Sequence, residues 1–145
     1  MDFNNNIIVE YFHDITDDVR DIRETVFVIE QGFSEEFDEI DKKSIHLLVK
    51  VNNKRAATAR IFKSNHSDTR WTVGRFAVLS EYRGIGLGSF LMKKVEEKIE
   101  EQGGNLVELS AQKQAEKFYL SLGYMPMGEI YYDQHAPHIH MEKEL

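Results

Sequence analysis

The chain has 145 residues, 41% of them apolar and 30% charged, the profile of a folded globular protein rather than a disordered one. That length points to one domain, residues 1–145, with a single sizeable core. A formal net charge of -7 opposes nucleic-acid binding, which needs a basic face to neutralise phosphates. The absence of cysteine excludes disulfides, thiolate zinc sites and a cysteine acyl-enzyme. No apolar run is long enough to span a bilayer. "MDFNNNIIVEYFHD" lacks a basic n-region before an apolar core, so no membrane partner and a cytoplasmic location are expected.

In chain order, Ile7 to Phe12 alternates as a first strand. "DITDDVRDIRETVFVIEQ" then spaces Val19, Ile22, Val26, Phe27 and Ile29 as one helical face. Thr16 stands as N-cap, Asp17 and Asp18 fill the first turn, and Gly32 ends the helix. "FSEEFDEIDKKS" reads as an acidic connector with one helical turn. "HLLVKV", "NN" and "KRAATARIFK" form a hairpin signal, and "WTVGRFAVL" adds a third meander strand. From Gly86 the period changes: Leu87, Phe90, Leu91, Val95 and Ile99 make an apolar helical stripe that "QGG" stops. "NLVELSA" is a strand and "QAEKFYLSLGY" a shorter helix closed by Gly123. "YMPMGEIYYD" and "HIHMEKEL" are two last strands around a "QHAP" turn. The order β-α-β-β-β-α-β-α-β-β predicts an α/β fold, a mixed sheet with helices on both faces.

"LSEYRGIGLGSF" places three glycines between a strand and a helix N-terminus. Unpaired amides and the positive end of the helix dipole suit an anionic phosphate there. The glycines let it approach, and Arg83 adds charge. A Walker loop needs Gly-Lys-Ser/Thr, but Ser89 follows Gly88 directly. A dinucleotide fingerprint needs Gly-x-Gly-x-x-Gly and an acidic residue after the next strand, where Ala111-Gln112 stands. Arg/Gln-x-x-Gly-x-Gly/Ala fits Arg83 to Gly88 at every fixed position.

That motif, within "VGRFAVLSEYRGIGLGSFLMKKVEE" and followed by "LVELSAQKQAEKFYLSLGYMPMGE", resembles the coenzyme A loop, next strand and late helix of the GCN5-related N-acetyltransferases (GNAT). "VFVIEQGFSEEFDEIDKKSIHLLV" with "APHIHM" resembles that family's ElaA/YjcF-like branch. The resemblance implies a mostly antiparallel sheet of about seven strands, splayed between the fourth and fifth. It implies that the backbone of Arg83, Gly84, Ile85, Gly86, Leu87, Gly88 and Ser89 holds the pyrophosphate. It also implies that the Phe76, Ala77, Val78 edge pairs with the pantetheine arm and polarises the thioester carbonyl. The resemblance also places Tyr119 at that family's general-acid position.

The implied reaction is acetyl transfer from acetyl-CoA to a primary amine, by direct attack in a ternary complex and without a metal. The acceptor stays open among polyamines, amino sugars, amino acids and peptide amines. The alternative is a non-catalytic acyl-CoA-binding sensor or interaction module. Glu30, Glu108 and His46 are candidate bases, each with a bland reading as a surface charge or structural hydrogen bond. His138 and His140 share one strand face, a spacing zinc can use. With His135 and Asp133 they read more simply as a solvated strand end, and His138 could line the acceptor pocket. The acidic run Glu35, Glu36, Asp38, Glu39, Asp41 could attract a cationic amine or be a solvated connector. Trp71, Phe76, Phe90 and Phe118 read as core, and one of Tyr131 and Tyr132 as facing the pocket. A homodimer paired through the C-terminal strands is expected.

Overall fold

The hairpin and meander signals set half of a seven-stranded sheet. The computed structural model describes residues 6–34 and 37–145. Strand β1 (Ile7–Phe12) pairs antiparallel with β2 (Ile45–Val51), and β2 with β3 (Lys54–Lys63). Asn52 and Asn53 turn that hairpin with φ of 50° and 67°, the left-handed pair a tight two-residue turn needs and asparagine tolerates. β4 (Arg70–Val78) closes the meander on β3. The remaining strands are β5 (Leu106–Gln112), β6 (Met125–Asp133) and β7 (Ala136–Glu144). The spatial order is β1-β2-β3-β4-β5-β7-β6, with β4 and β5 the parallel pair. The final turn contracts to Gln134 and His135, because Ala136 already pairs with Asp133.

Helix α1 (Asp17–Arg23) begins at Thr16, whose hydroxyl accepts from the Val19 amide at 3.2 Å. It does not continue as a regular α-helix. Glu24–Glu30 winds as a π-helix, with the Gln31 amide reaching the Val26 carbonyl at 3.1 Å. The wider turn changes the phase, so Val26 and Phe27 stay buried while Ile29 is 79% exposed. The 3.6-residue period predicts Ile29 on the buried face, and the π-helical turn overrides it. Helix α2 (Leu87–Glu101) buries Leu87, Leu91, Val95 and Ile99 as the stripe requires, and α3 (Glu116–Ser121) buries Tyr119.

Two cores result, one on each face. Leu47, Val49, Ile61 and Val73 pack with α2, while Leu48 and Ala77 pack with Val19 and Ile22 of α1. Alternation along β4 should keep Val73 and Ala77 on one face, yet they belong to different cores. A bulge causes the switch. Gly74 pairs with Arg60 and Ala77 with Thr58, so β4 spends one residue more than β3 over this stretch. Arg75 absorbs it at φ 48°.

The connector carries a 3-10 turn (Glu39–Lys43) capped by Asp38, and it is tied down by charge. Arg23 donates to Asp41 at 2.8 Å, and Arg60 to Asp41 at 2.9 Å and to Asp38 at 2.6 Å. Arg75 reaches Asp38 at 3.2 Å. Arg23, Asp41 and Arg60 are buried. Asp38 and Asp41 are therefore neutralised by arginine, which corrects their readings as solvated acids and as a lure for a cationic amine, whereas the Glu39 side chain, 87% exposed beside Lys42, is solvated as expected. Glu35 and Glu36 lie outside the described residues.

Candidate active site

β4 and β5 pair only from Arg70–Leu106 to Val73–Leu109, although both strands run on. Past Val73 the bulge turns β4 toward β3, and past Leu109 strand β5 stays with β7 through Ser110, Ala111 and Gln112. Two parallel strands that part while each keeps its outer neighbour leave a wedge between them. A cavity of about 830 Å³ fills that wedge and passes from one face of the sheet to the other.

On the α2 side the cavity is bounded by Phe76, Val78, Phe118 and Tyr119 and by the loop before α2. The loop reaches the helix through Gly84 at φ 80° and Gly86 at φ 85°, conformations that cost side-chain-bearing residues steric strain. The first bond into the helix is Phe90 N–H to Gly86 O at 3.1 Å, and no side chain caps the N-terminus. The amides of Leu87, Gly88 and Ser89 therefore have no helical carbonyl to bond, at the positive end of a 15-residue helix. Gly88 is glycine for a different reason. A Cβ there would lie 3.2 Å from the Phe118 ring, so the helix start sits directly on the aromatic wall.

Gly88→Val is expected to shift the loop off Phe118; if this loop holds the pyrophosphate as the resemblance implies, coenzyme A binding should weaken about tenfold, about 1.4 kcal/mol. The overpacking should cost stability about 1–3 kcal/mol. Calorimetry with coenzyme A and a thermal melt read the two effects separately.

Of the residues expected at the site, Phe76, Ala77, Val78, Arg83, Gly84, Gly86, Leu87, Gly88, Ser89 and Tyr119 all line the cavity. Ile85 is 40% exposed and is not among the lining residues. The Arg83 side chain is already engaged: Nε donates to Val78 O at 2.9 Å and Nη2 meets Glu30 at 2.7 Å. Tyr119 is buried, and desolvation pushes its phenol well above the ordinary tyrosine value. Its ring lies 5.0 Å from Phe118, 6.0 Å from Tyr124 and 6.2 Å from Phe76.

The candidate bases fare differently. Glu30 lines the cavity but is paired with Arg83. His46 is fully buried away from it, with Nε2 3.0 Å from Asp41 O, and burial lowers its pKa. Glu108 accepts from Arg70 at 2.8 Å and from Thr72 at 2.9 Å and does not line the cavity.

The histidines separate as well. His135 packs on Phe33, His140 lies 2.8 Å from Glu142, and His138 alone of the three lines the cavity. Among the described residues, Glu108, His140 and Glu142 lie close enough together to share an ion. Arg70 donates to both carboxylates, at 2.8 and 2.9 Å, and already supplies the countercharge a metal would bring. Neither Tyr131 nor Tyr132 lines the cavity, which corrects the expectation that one faces it: Tyr132 is 72% exposed, and Tyr131 stacks on His138 at 6.0 Å and hydrogen-bonds Ser110.

Sequence reasoning passed over three features of this site: the β4 bulge, the arginines Arg60 and Arg75 in the wall, and the Gln112–Gln31 bond at 2.8 Å across its mouth. Gly74 inside a strand was the one available signal for the bulge.

A seven-stranded sheet parted at one parallel pair, with a glycine loop and a helix N-terminus beside the gap, is an arrangement shared with known acetyltransferases. The model of the Acetyltransferase (GNAT) domain matches residues 15–145. Protein ElaA of Escherichia coli is 33% identical over 130 residues, covering 86% of this chain and 84% of that one. The crystal structure of Escherichia coli ElaA superposes with TM-score 0.84 and 30% identity over 96% of this chain and 100% of that one. An acyl-CoA N-acyltransferase from Pseudomonas aeruginosa gives TM-score 0.82 and 26% identity over 97% and 99%. A GNAT acetyltransferase from Elizabethkingia anophelis with acetyl-CoA bound shares the fold at TM-score 0.76 and 15% identity, over 97% of this chain and 99% of that one. The chain belongs to the GNAT acetyltransferases, in their ElaA-like branch.

Proposed function

We propose that this protein transfers an acetyl group from acetyl-CoA to a primary amine by direct attack in a ternary complex. The observation that carries the reading is the set of unbonded Leu87, Gly88 and Ser89 amides opening onto the wedge between β4 and β5. Those amides and the helix dipole suit a pyrophosphate. The open edge of β4 at Phe76–Val78 suits an extended amide-bearing arm. The bulge leaves an irregular β4 backbone there, and an amide freed from the ladder can polarise a thioester carbonyl, a contribution of about 2.7–4 kcal/mol where such donors have been removed.

The amine lone pair attacks the carbonyl carbon, the N–C bond forms, and the C–S pair returns to sulfur. Tyr119, kept protonated by its burial, donates to that sulfur as negative charge develops.

An assay of acetyl-CoA consumption against polyamines, amino sugars, amino acids and short peptides, with product mass confirmed, is expected to find turnover for at least one class. Binding of coenzyme A without turnover across the panel would favour the non-catalytic sensor. No heat on mixing coenzyme A with the protein would remove both readings. Two copies would meet along β6, which is exposed throughout and carries Met125, Met127, Ile130 and Tyr132. Pro126 lacks an amide, so such pairing would rest on side chains more than on a continuous ladder; sedimentation velocity reads it. Among the described residues no helix is long and apolar enough to cross a membrane.

A further inference from the structure

We infer that His138 is the general base that deprotonates the amine, an assignment that rests on the acetyl-transfer reading above. His138 sits on β7 opposite Gln112 of β5, beyond the last β4–β5 pair, in the parted section of the sheet. Alternation places it on the α1 face with Ala136, while Ile139 and Met141 join the α2 core. Tyr119 lies in that α2 core, yet both residues line the one cavity. Acid and base therefore address the wedge from opposite faces, leaving the reacting carbon room between them.

The tautomer follows from the hydrogen bond. Nδ1 lies 3.0 Å from Ala136 O, and a carbonyl only accepts, so Nδ1 carries the hydrogen and Nε2 presents a lone pair. Nε2 has no protein partner among the described residues, and it is not sealed off as a buried unpaired atom either. The ring is nonetheless 6% exposed, held by Tyr131 at 6.0 Å and Phe33 at 6.5 Å. A fixed ring with one lone-pair nitrogen, on a residue that lines the cavity, is what a base needs. The other candidates lack it: Glu30 is paired, His46 is buried elsewhere, and Glu108 is held by Arg70 and Thr72.

The titratable neighbours are Tyr131 from β6, His140 two residues along β7 and bonded to Glu142, and Asp133 in the cavity wall. Across the cavity the Glu30–Arg83 pair, together with Arg60 and Arg75 bound to Asp38, holds its charges in ion pairs.

In the balanced step an ammonium acceptor gives one proton to Nε2, and the freed amine attacks. As the C–S bond breaks, the sulfur takes the Tyr119 proton, and the second nitrogen proton restores the phenol. His138 releases its proton to solvent. The sum is ammonium plus thioester giving amide, thiol and one proton.

Three measurements test this. Long-range nitrogen-15 NMR on the wild-type protein should show the neutral His138 ring as the tautomer with its hydrogen on Nδ1 and none on Nε2. His138→Gln should bind coenzyme A as the wild type does by calorimetry, yet lose about a hundredfold in kcat/KM with the fastest amine of the panel. It should also lose the acidic limb of the pH profile. Added imidazole should restore part of the rate in His138→Ala. A ring protonated at Nε2, or normal coenzyme A binding with an unchanged pH profile in His138→Gln, overturns the role of His138 alone. Absence of coenzyme A binding by the wild type overturns the acetyl-transfer reading and His138 with it.

Discussion

Asp41→Ala is expected to destabilise the protein by about 3–5 kcal/mol, because it removes the buried carboxylate that Arg23 and Arg60 share, leaving Arg60 to Asp38 alone. Asp41 accepts from Arg23 at 2.8 and 3.2 Å and from Arg60 at 2.9 Å, and its carboxylate also takes the Asp38 amide at 3.0 Å. Arg23 and Arg60 are 1% and 4% exposed, so water cannot replace the lost partner. A urea titration with unchanged slope would measure the loss. Burial by itself would raise the Asp41 carboxyl. The hydrogen bond from Arg23, the Asp38 amide and the Arg60 contact reverse that and bring it to about 2, below the ordinary 3.8. The unfolded chain then binds more protons than the native one between those values, so stability rises with pH across the window. Its contribution is complete above about pH 4 and disappears as pH falls toward about 2. Asp41→Asn should flatten that acid limb of the stability curve. The same network ties the connector to Arg60 and Arg75 in the cavity wall, so damage there should reach substrate binding as well as stability.

Tyr119→Phe is expected to lower kcat about a hundredfold or more while leaving coenzyme A affinity within about twofold of the wild type. The ring packs among Phe76, Phe118 and Tyr124, and phenylalanine keeps those contacts, so the fold should be untouched. On the proposed mechanism, what disappears is one donor at the sulfur. Its raised pKa makes Tyr119 a hydrogen-bond donor throughout the neutral range. In that mechanism the proton would move to sulfur only as the nitrogen sheds its own, because a phenol held above its ordinary value is a weaker acid than a typical thiol. Steady-state kinetics alongside calorimetry separate the two parameters. An unchanged kcat would remove Tyr119 from the chemistry.

Local patterns were sufficient for much of this. Ten elements in the right order, the Thr16 cap, the two-asparagine turn and the α2 stripe are all encoded within short windows, where periodicity, capping and turn geometry act on neighbouring residues. The glycine loop was equally plain, because Gly84 and Gly86 meet a backbone requirement that is local. The π-helical turn was not. Ile29 looked like a buried position until Glu24–Glu30 unwound to fit against the sheet. Asp38 and Asp41 looked like free surface acids because their partners, Arg23, Arg60 and Arg75, come from α1, β3 and β4.

By itself, then, the sequence determined the element order, the glycine-rich helix start and the family, since each depends on residues close along the chain. Tertiary structure alone decided which charges are spent in ion pairs, where the bulge at Arg75 parts the sheet, and that Tyr119 and His138 share one cavity. Those facts depend on strand pairings between residues tens of positions apart. A single sequence carries no record of such pairings, because burial and Coulomb energies are settled only when the distant segments meet.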